Sequence, residues 1–214
     1  SFSQKAKGIY GIQWHPEVTH TEHGDKVFQN FLFDICDCEA GWNLEDFANN
    51  SVEKIKNTVD GEKCIIAISG GIDSSTAAVL ASRAMGEDLV GVFVDHGLMR
   101  KKEPEEVKEI FEDLEMDFIF LDKRDRFLEK LEGVVDPEEK RNIIGEEFIR
   151  VFEEIAKEEK ADYLIQGTIY PDWIESGSED NAALIKTHHN VGGLPSKLDF
   201  KGVIEPLREL YKDE

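Results

Sequence analysis

The sequence predicts an α/β fold, an open parallel sheet with helices on both faces, and three observations carry that prediction. From Cys64 onward the runs "CIIAI", "LVGVFVD", "FIFLD" and "YLIQG" are near-continuously apolar and rich in β-branched residues. Segments of helical periodicity separate them. Such runs read as strands buried on both faces and covered by crossover helices. Finally, 214 residues, 40% hydrophobic and 33% charged, supply one ordinary core with further pieces attached.

In chain order, "GIYGIQW" at 8–14 is short, β-prone and bounded by glycine, and reads as an edge or terminal strand. After Gly24, the residues Val27, Phe28, Phe31, Leu32 and Ile35 recur at helical spacing. A second helix is expected from Leu44 to about Val59, with Asn43 as its cap after the break at Gly41. Then come the strand "CIIAI", the turn "SGGIDS", the helix "STAAVLASRAMG" and the strand "LVGVFVD". A charged helix from Glu103 to Leu114 leads to a strand at 118–122. A short helix near Phe127 to Leu131, a long one from Pro137 to Lys160 and the strand "YLIQG" complete at least four parallel strands. Past Gly167 the helical rhythm stops, and 168–199 holds Pro171, Gly177, Gly192, Gly193 and Pro195 with one β-like patch, "AALIKTHH". That much irregular chain in a compact domain is expected where something binds.

A formal charge of -21 argues against a nucleic-acid backbone or an anionic membrane as partner, since both are polyanions. Cys36, Cys38 and Cys64 are three and unevenly spaced, which argues against a disulfide framework and for a reducing compartment. With no long apolar run or signal-peptide pattern, the chain reads as cytoplasmic. It begins at Ser1 and ends in the amphipathic "EPLRELYKDE", which reads as an interruption of a longer protein.

The stretch "IIAISGGIDSSTAAVL" carries the chemistry. It lacks the lysine of the common G-x-x-x-x-G-K-[ST] phosphate loop. Ser69, Gly70 and Gly71 nevertheless follow a strand, and Asp73, Ser74 and Ser75 open a helix. Glycines let the backbone pass close to an anion, and the unpaired amides of a first helical turn point at it. The hydroxyls can donate, whereas Asp73 would repel bare phosphate and makes sense beside a cation such as magnesium. A plain strand-to-helix turn capped by Ser or Asp fits the same pattern. Asp95 and His96 end the second strand of this region, Gln166, Gly167 and Thr168 the last, and Asp172 lies just beyond. In open α/β sheets the carboxyl ends of the strands form the ligand crevice, so loop, Asp95 and Asp172 are expected to converge.

"SGGIDSS" closely resembles the pyrophosphatase loop of enzymes that cleave ATP between the α and β phosphates. "VFVDHGLMRKKE", "RNIIGEEF", "IQGTIYPDWIES" and "IKTHHNVGGLP" resemble the GMP synthetase family specifically. "GIQWHPEVTHTEHG" is similar to the end of a class I glutamine amidotransferase domain. The resemblance implies an adenine nucleotide alpha hydrolase-like ATP pyrophosphatase domain at 61–205. It is preceded by an amidotransferase remnant at 1–38 and a linking helix at 39–60, and followed by the start of a dimerisation region at 206–214. The family reaction converts XMP, ATP and ammonia to GMP, AMP and pyrophosphate through an adenylyl-XMP intermediate, with glutamine as the ammonia source in the full-length enzyme.

Carried over residue by residue, Ser69, Gly70, Gly71, Asp73, Ser74 and Ser75 would grip the β and γ phosphates, with Asp73 and Asp172 on magnesium. Lys186 would stabilise the transferring phosphoryl group, and Val94 would meet adenine through its backbone. Gly167 and Thr168 would line the nucleotide. Arg141 would reach the ligand from a mobile lid, and His188 would lie near phosphate or substrate; the His188–His189 pair is not expected to bind zinc, because adjacent side chains point apart in extended chain. His15 and Glu17 would be the base and acid of a cysteine triad. Its nucleophile is none of the three cysteines here, so no glutaminase activity is expected of this chain as it stands. A homodimer is expected only with the further carboxy-terminal domain. Two alternatives stay open: a non-catalytic ATP or AMP-binding module, and another ATP pyrophosphatase such as a tRNA-modifying enzyme, which the acidic charge disfavours.

Overall fold

The computed structural model describes residues 1–175 and 200–214. These divide into two compact units, Ser1–Asn43 and Leu44–Glu214. In the first, strands β1 (Phe2–Gln4) and β2 (Ile9–Gly11) pair antiparallel, joined by a 3-10 turn at Lys5–Lys7. Helix α1 (Gly24–Gln29) runs on as a π-helical turn at Asn30–Ile35, and Phe31 meets Tyr10 edge to face at 6.0 Å. The apolar stripe read as helical is therefore present. Phe28, Phe31, Leu32 and Ile35 remain 39–44% exposed.

The second unit is the α/β domain. Helix α2 (Leu44–Val59) precedes β3 (Cys64–Ile68), α3 (Ile72–Met85), β4 (Leu89–Asp95), α4 (Glu103–Glu112) and β5 (Asp117–Asp122). There follow α5 (Arg124–Leu131), α6 (Pro137–Glu158), β6 (Tyr163–Ile165), α7 (Tyr170–Glu175) and β7 (Gly202–Ile204). The five strands lie in the order β5-β4-β3-β6-β7, and every pairing is parallel. Strand alternation sends Ile66, Ile68 and Phe93 to one face, where α2, α3 and α4 bury Ile55, Val59, Ala77, Leu80 and Phe111. Ile65, Val90, Val92 and Val94 point to the other face, against Phe127 of α5 and Val151 and Phe152 of α6. The parallel sheet with helices on both faces is thus present, with one more strand than the four read from the sequence.

Three short pieces differ from the expectation. Strand β1 was not foreseen, and neither was β7, whose three residues pair with β6 through the backbone. The irregular stretch after Gly167 starts instead with the helix α7, which Pro171 opens near its amino end, where a proline's missing amide costs nothing. Of the long helices, α6 starts most firmly: Asp136 Oδ1 accepts from the Glu138 and Glu139 amides at 2.9 Å each, and Pro137 occupies the first position. No described helix is long and apolar enough to cross a membrane.

Candidate nucleotide site

Strand order fixes where a ligand can sit. From β3 the chain steps outward to β4 and β5 on one side and later to β6 and β7 on the other, so the loop after β3 lies at the switch point of the sheet. That loop is Ser69–Gly71, running into α3. Gly70 has φ +78°, and a Cβ there would meet the Val107 side chain at 2.9 Å, so both its backbone and its neighbour favour glycine.

Gly71 caps α3 and brings no side chain to the first-turn amides. The serines hold the loop's shape instead. Ser74 Oγ accepts from the Ser69 amide at 3.2 Å and lies 2.9 Å from Ser69 Oγ. Ser74 and Ser75 hydroxyls donate to the Gly71 carbonyl at 3.1 and 2.8 Å, and Ser69 Oγ accepts from the Gly71 amide at 3.3 Å. The result is a pre-shaped turn with a positive helix end facing outward.

Gly167, two residues past the end of β6, presses on this loop. A Cβ there would fall 2.8 Å from the Asp73 carbonyl carbon and oxygen and 2.9 Å from the Ser74 amide nitrogen. The end of β6 and the start of α3 are therefore one surface. Val94 is buried in the sheet, so only its backbone is available at the β4 end. Asp172 Oδ2 accepts from the Ile169 amide at 3.3 Å, securing the first turn of α7. Asp95 Oδ1 accepts from the Gly97 amide at 2.9 Å, and Arg124 lies 3.7 Å from its other oxygen while also binding Asp122. That geometry gives Asp95 a capping role. Arg124 holds the Asp122 carboxyl down to about pKa 2. Arg141 lies exposed on α6, and Thr168 is half-buried. Lys186 and His188 lie outside the described residues.

One site residue escaped the sequence reading. Lys212 Nζ lies 3.3 Å from Asp73 Oδ2, across 139 positions of chain. The segment that carries it is anchored by buried Leu207 and Leu210, by the Tyr170 amide donating to the Leu210 carbonyl at 2.9 Å, and by Tyr211 against the Tyr170 ring. The only available signal was a lysine following two spaced leucines, which nothing local ties to the loop.

In the first unit, His15 Nδ1 and Glu17 Oε1 are 2.7 Å apart. A carboxylate only accepts, so the imidazole donates from Nδ1, leaving Nε2 as its free acceptor. The Glu17 carboxyl is held below its usual range by its own backbone amide and by His15. Cys64 is buried in β3 and its thiol is pushed up to about 12 by burial, so it is no nucleophile at neutral pH.

A glycine-serine loop at the switch point of a parallel sheet defines the class by its fold, an open α/β domain of the adenine nucleotide alpha hydrolase-like kind. Residues 43–168, more than half of the chain, match the family model described as NAD synthase, and the chain belongs to that family. Residues 2–35 match the model of class I glutamine amidotransferases. Among solved structures, the NH3-dependent NAD synthetase of Campylobacter jejuni is similar with TM-score 0.60 and 15% identity, covering 81% of this chain and 71% of that one. The NMN synthetase of Francisella tularensis gives 0.58 and 14%, over 81% and 68%. Both likenesses concern the fold. The glutamine-hydrolysing GMP synthase of Finegoldia magna is 54% identical over all of this chain and 42% of its own length. That of Thermotoga petrophila is 56% identical over 97% of this chain and 42% of its own. The chain thus spans less than half the length of these curated relatives.

Proposed function

We propose that this chain is the ATP-activating segment of a GMP synthase, a ligase forming GMP from XMP, ATP and ammonia. The observation that carries the reading is the uncapped first turn of α3, ringed by Ser69, Ser74 and Ser75 and closed by Gly167. Identity of 54–56% across the chain to GMP synthases favours this substrate over the tRNA-modifying and purely regulatory alternatives. The proposed organisation is an amidotransferase end at 1–38, a linking helix at 39–60, the pyrophosphatase domain at 61–205 and the start of a dimer-forming region at 206–214.

In this mechanism the first-turn amides hold the β and γ phosphates, and the hydroxyls of Ser69, Ser74 and Ser75 join them by turning away from the contacts that shape the loop, leaving the α phosphorus open. The C2 oxygen of XMP attacks it, pyrophosphate departs, and ammonia then displaces AMP at C2. Lys186 offsets charge on the transferring phosphoryl group, Val94 contacts adenine through its backbone, and Thr168 contacts the ribose or phosphate. Arg141 reaches the ligand from a lid, and His188 contacts phosphate or substrate.

Asp73 supplies the hard oxygen that magnesium takes, in exchange for the Lys212 ammonium its carboxylate faces. Among the described residues no three His, Cys, Asp or Glu side chains cluster as a metal cage. Asp73 and Asp172 would hold magnesium, which supplies charge neutralisation for the departing pyrophosphate. His15 and Glu17 serve the glutamine half-reaction of the longer protein, as an imidazole oriented by a carboxylate.

The test is calorimetric titration of the 214-residue chain with ATP, with and without magnesium, beside Asp73→Ala. Magnesium-dependent binding weakened at least about tenfold in the variant is expected, a charge-assisted interaction being worth more than 1.4 kcal/mol. XMP-dependent pyrophosphate release then separates the enzyme from a binding module. ATP binding without such release, even with the rest of the protein supplied, would leave only the module.

A further inference from the structure

At the end of β6, Gln166 uses its main-chain amide in the ladder, donating to the Ile204 carbonyl at 2.9 Å. Its side-chain Oε1 is shut off from solvent and has no hydrogen-bond partner among the described residues. A buried carbonyl oxygen left unpaired is costly, and such groups in native proteins call for a reason.

The surroundings of this oxygen indicate what it awaits. Strand alternation puts the Gln166 side chain on the same face as Leu164, the face covered by α5 and α6. The α3 helix, whose first turn forms the phosphate loop, packs on the opposite face through Ala77, Ala78 and Ala81. Continuing the register Ile165↔Ile66 sets Gln166 beside Ala67. Ala67 is half-buried between fully buried neighbours, so its small side chain is what stands beside Gln166 at the carboxyl ends of β3 and β6.

The amide oxygen can only accept a hydrogen bond, which excludes the equally acceptor-only triphosphate oxygens as its partner. Resting on the ATP reading above, we infer that Gln166 is a specificity residue whose Oε1 accepts a hydrogen bond from the nucleoside half of the nucleotide. The donor is a ribose hydroxyl or the exocyclic amine of the base.

Titrating the chain and its Gln166→Met variant with ATP, 2′-deoxy-ATP, 3′-deoxy-ATP and inosine triphosphate distinguishes these donors. Methionine keeps the length and removes the acceptor. The wild-type chain is expected to bind one donor-less analogue about tenfold more weakly than ATP, the variant to bind ATP about tenfold more weakly, and that analogue to be indifferent to the substitution. The analogue that is weakened in the wild-type chain and indifferent to the substitution assigns the donor, a deoxy analogue the ribose and inosine triphosphate the base. Equal weakening of all four nucleotides, or of none, overturns the inference.

A ligand-free melting curve supplies an independent reading, because removal of an unpaired buried acceptor leaves Tm unchanged or raises it. A clear fall would make the amide a structural partner and sink the proposal. Failure of the wild-type chain to bind ATP at all would overturn both this inference and the function it rests on.

Discussion

The two ends of the parallel sheet treat their polar groups in opposite ways. At the amino end the charges are spent on one another. Lys63, just before β3, binds Glu159 at the end of α6, while Lys201, just before β7, binds both Glu62 and Asp162. The Asp162 amide donates to the Lys63 carbonyl and the Lys201 amide to the Asp162 carbonyl, each at 2.8 Å. At the carboxyl end charges also pair, Arg124 with Asp122 and Lys212 with Asp73, but two polar features stay open. The first turn of α3 has no side-chain cap, and Gln166 keeps an unpaired oxygen. Charges satisfied within the fold contribute to stability, and groups held ready without partners are what a ligand requires.

The largest effect is expected from joining the two elements that form the open end. Gly167→Val would drive a side chain into the backbone of Asp73 and Ser74, atoms that cannot swing aside. Overpacking of this kind costs about 1–3 kcal/mol, here toward the upper value. Denaturant unfolding should record that loss, and calorimetry should show ATP binding abolished. Retained ATP affinity would mean that the end of β6 and the loop do not act as one site, which breaks the comparison.

At the closed end the outcome should be reversed. Lys63→Met removes one partner of a half-buried ion pair while keeping an apolar stem. The expected loss is about 1 kcal/mol of stability, between the exposed and fully buried cases. ATP affinity should not change. Any weakening of ATP by this substitution would show that the amino end also shapes the site.

This division also explains how much could be read in advance. Strands β3 and β4 and helices α3 and α6 were legible because burial on both sides of a sheet forces continuous apolar runs, and α6 carries its own capping signal at Asp136 and Pro137. The loop was legible because glycine and serine at a strand-to-helix junction have few other uses. Strand β7 was not, since three residues held by backbone pairing leave no periodicity. Helix α7 is only six residues long, and Pro171 disguised it as irregular chain. Lys212 was invisible for a different reason: its place beside Asp73 depends on Leu207 and Leu210 entering a core built far away in sequence.

The smallest effect separates capping from binding within the open end itself. His96 Nδ1 accepts from the Leu98 amide at 3.2 Å, and its ring packs against Phe127. Burial lowers its pKa from the ordinary 6.5, with Asp95 and Glu103 pulling the other way. Above pH 6.5 the imidazole is neutral in both folded and unfolded chains, and its contribution is fully present. As the pH falls, the unfolded chain takes up the proton first, so stability is lost as the pH drops through the lowered folded-state value. The melting temperature should therefore decline on acidification below 6.5, and His96→Asn, which keeps an acceptor near the Leu98 amide, should flatten that decline. A slope unchanged by the substitution would leave His96 out of the stability of this edge; the contribution of Asp122, lowered from 3.8 to about 2 by Arg124, is lost only below that window.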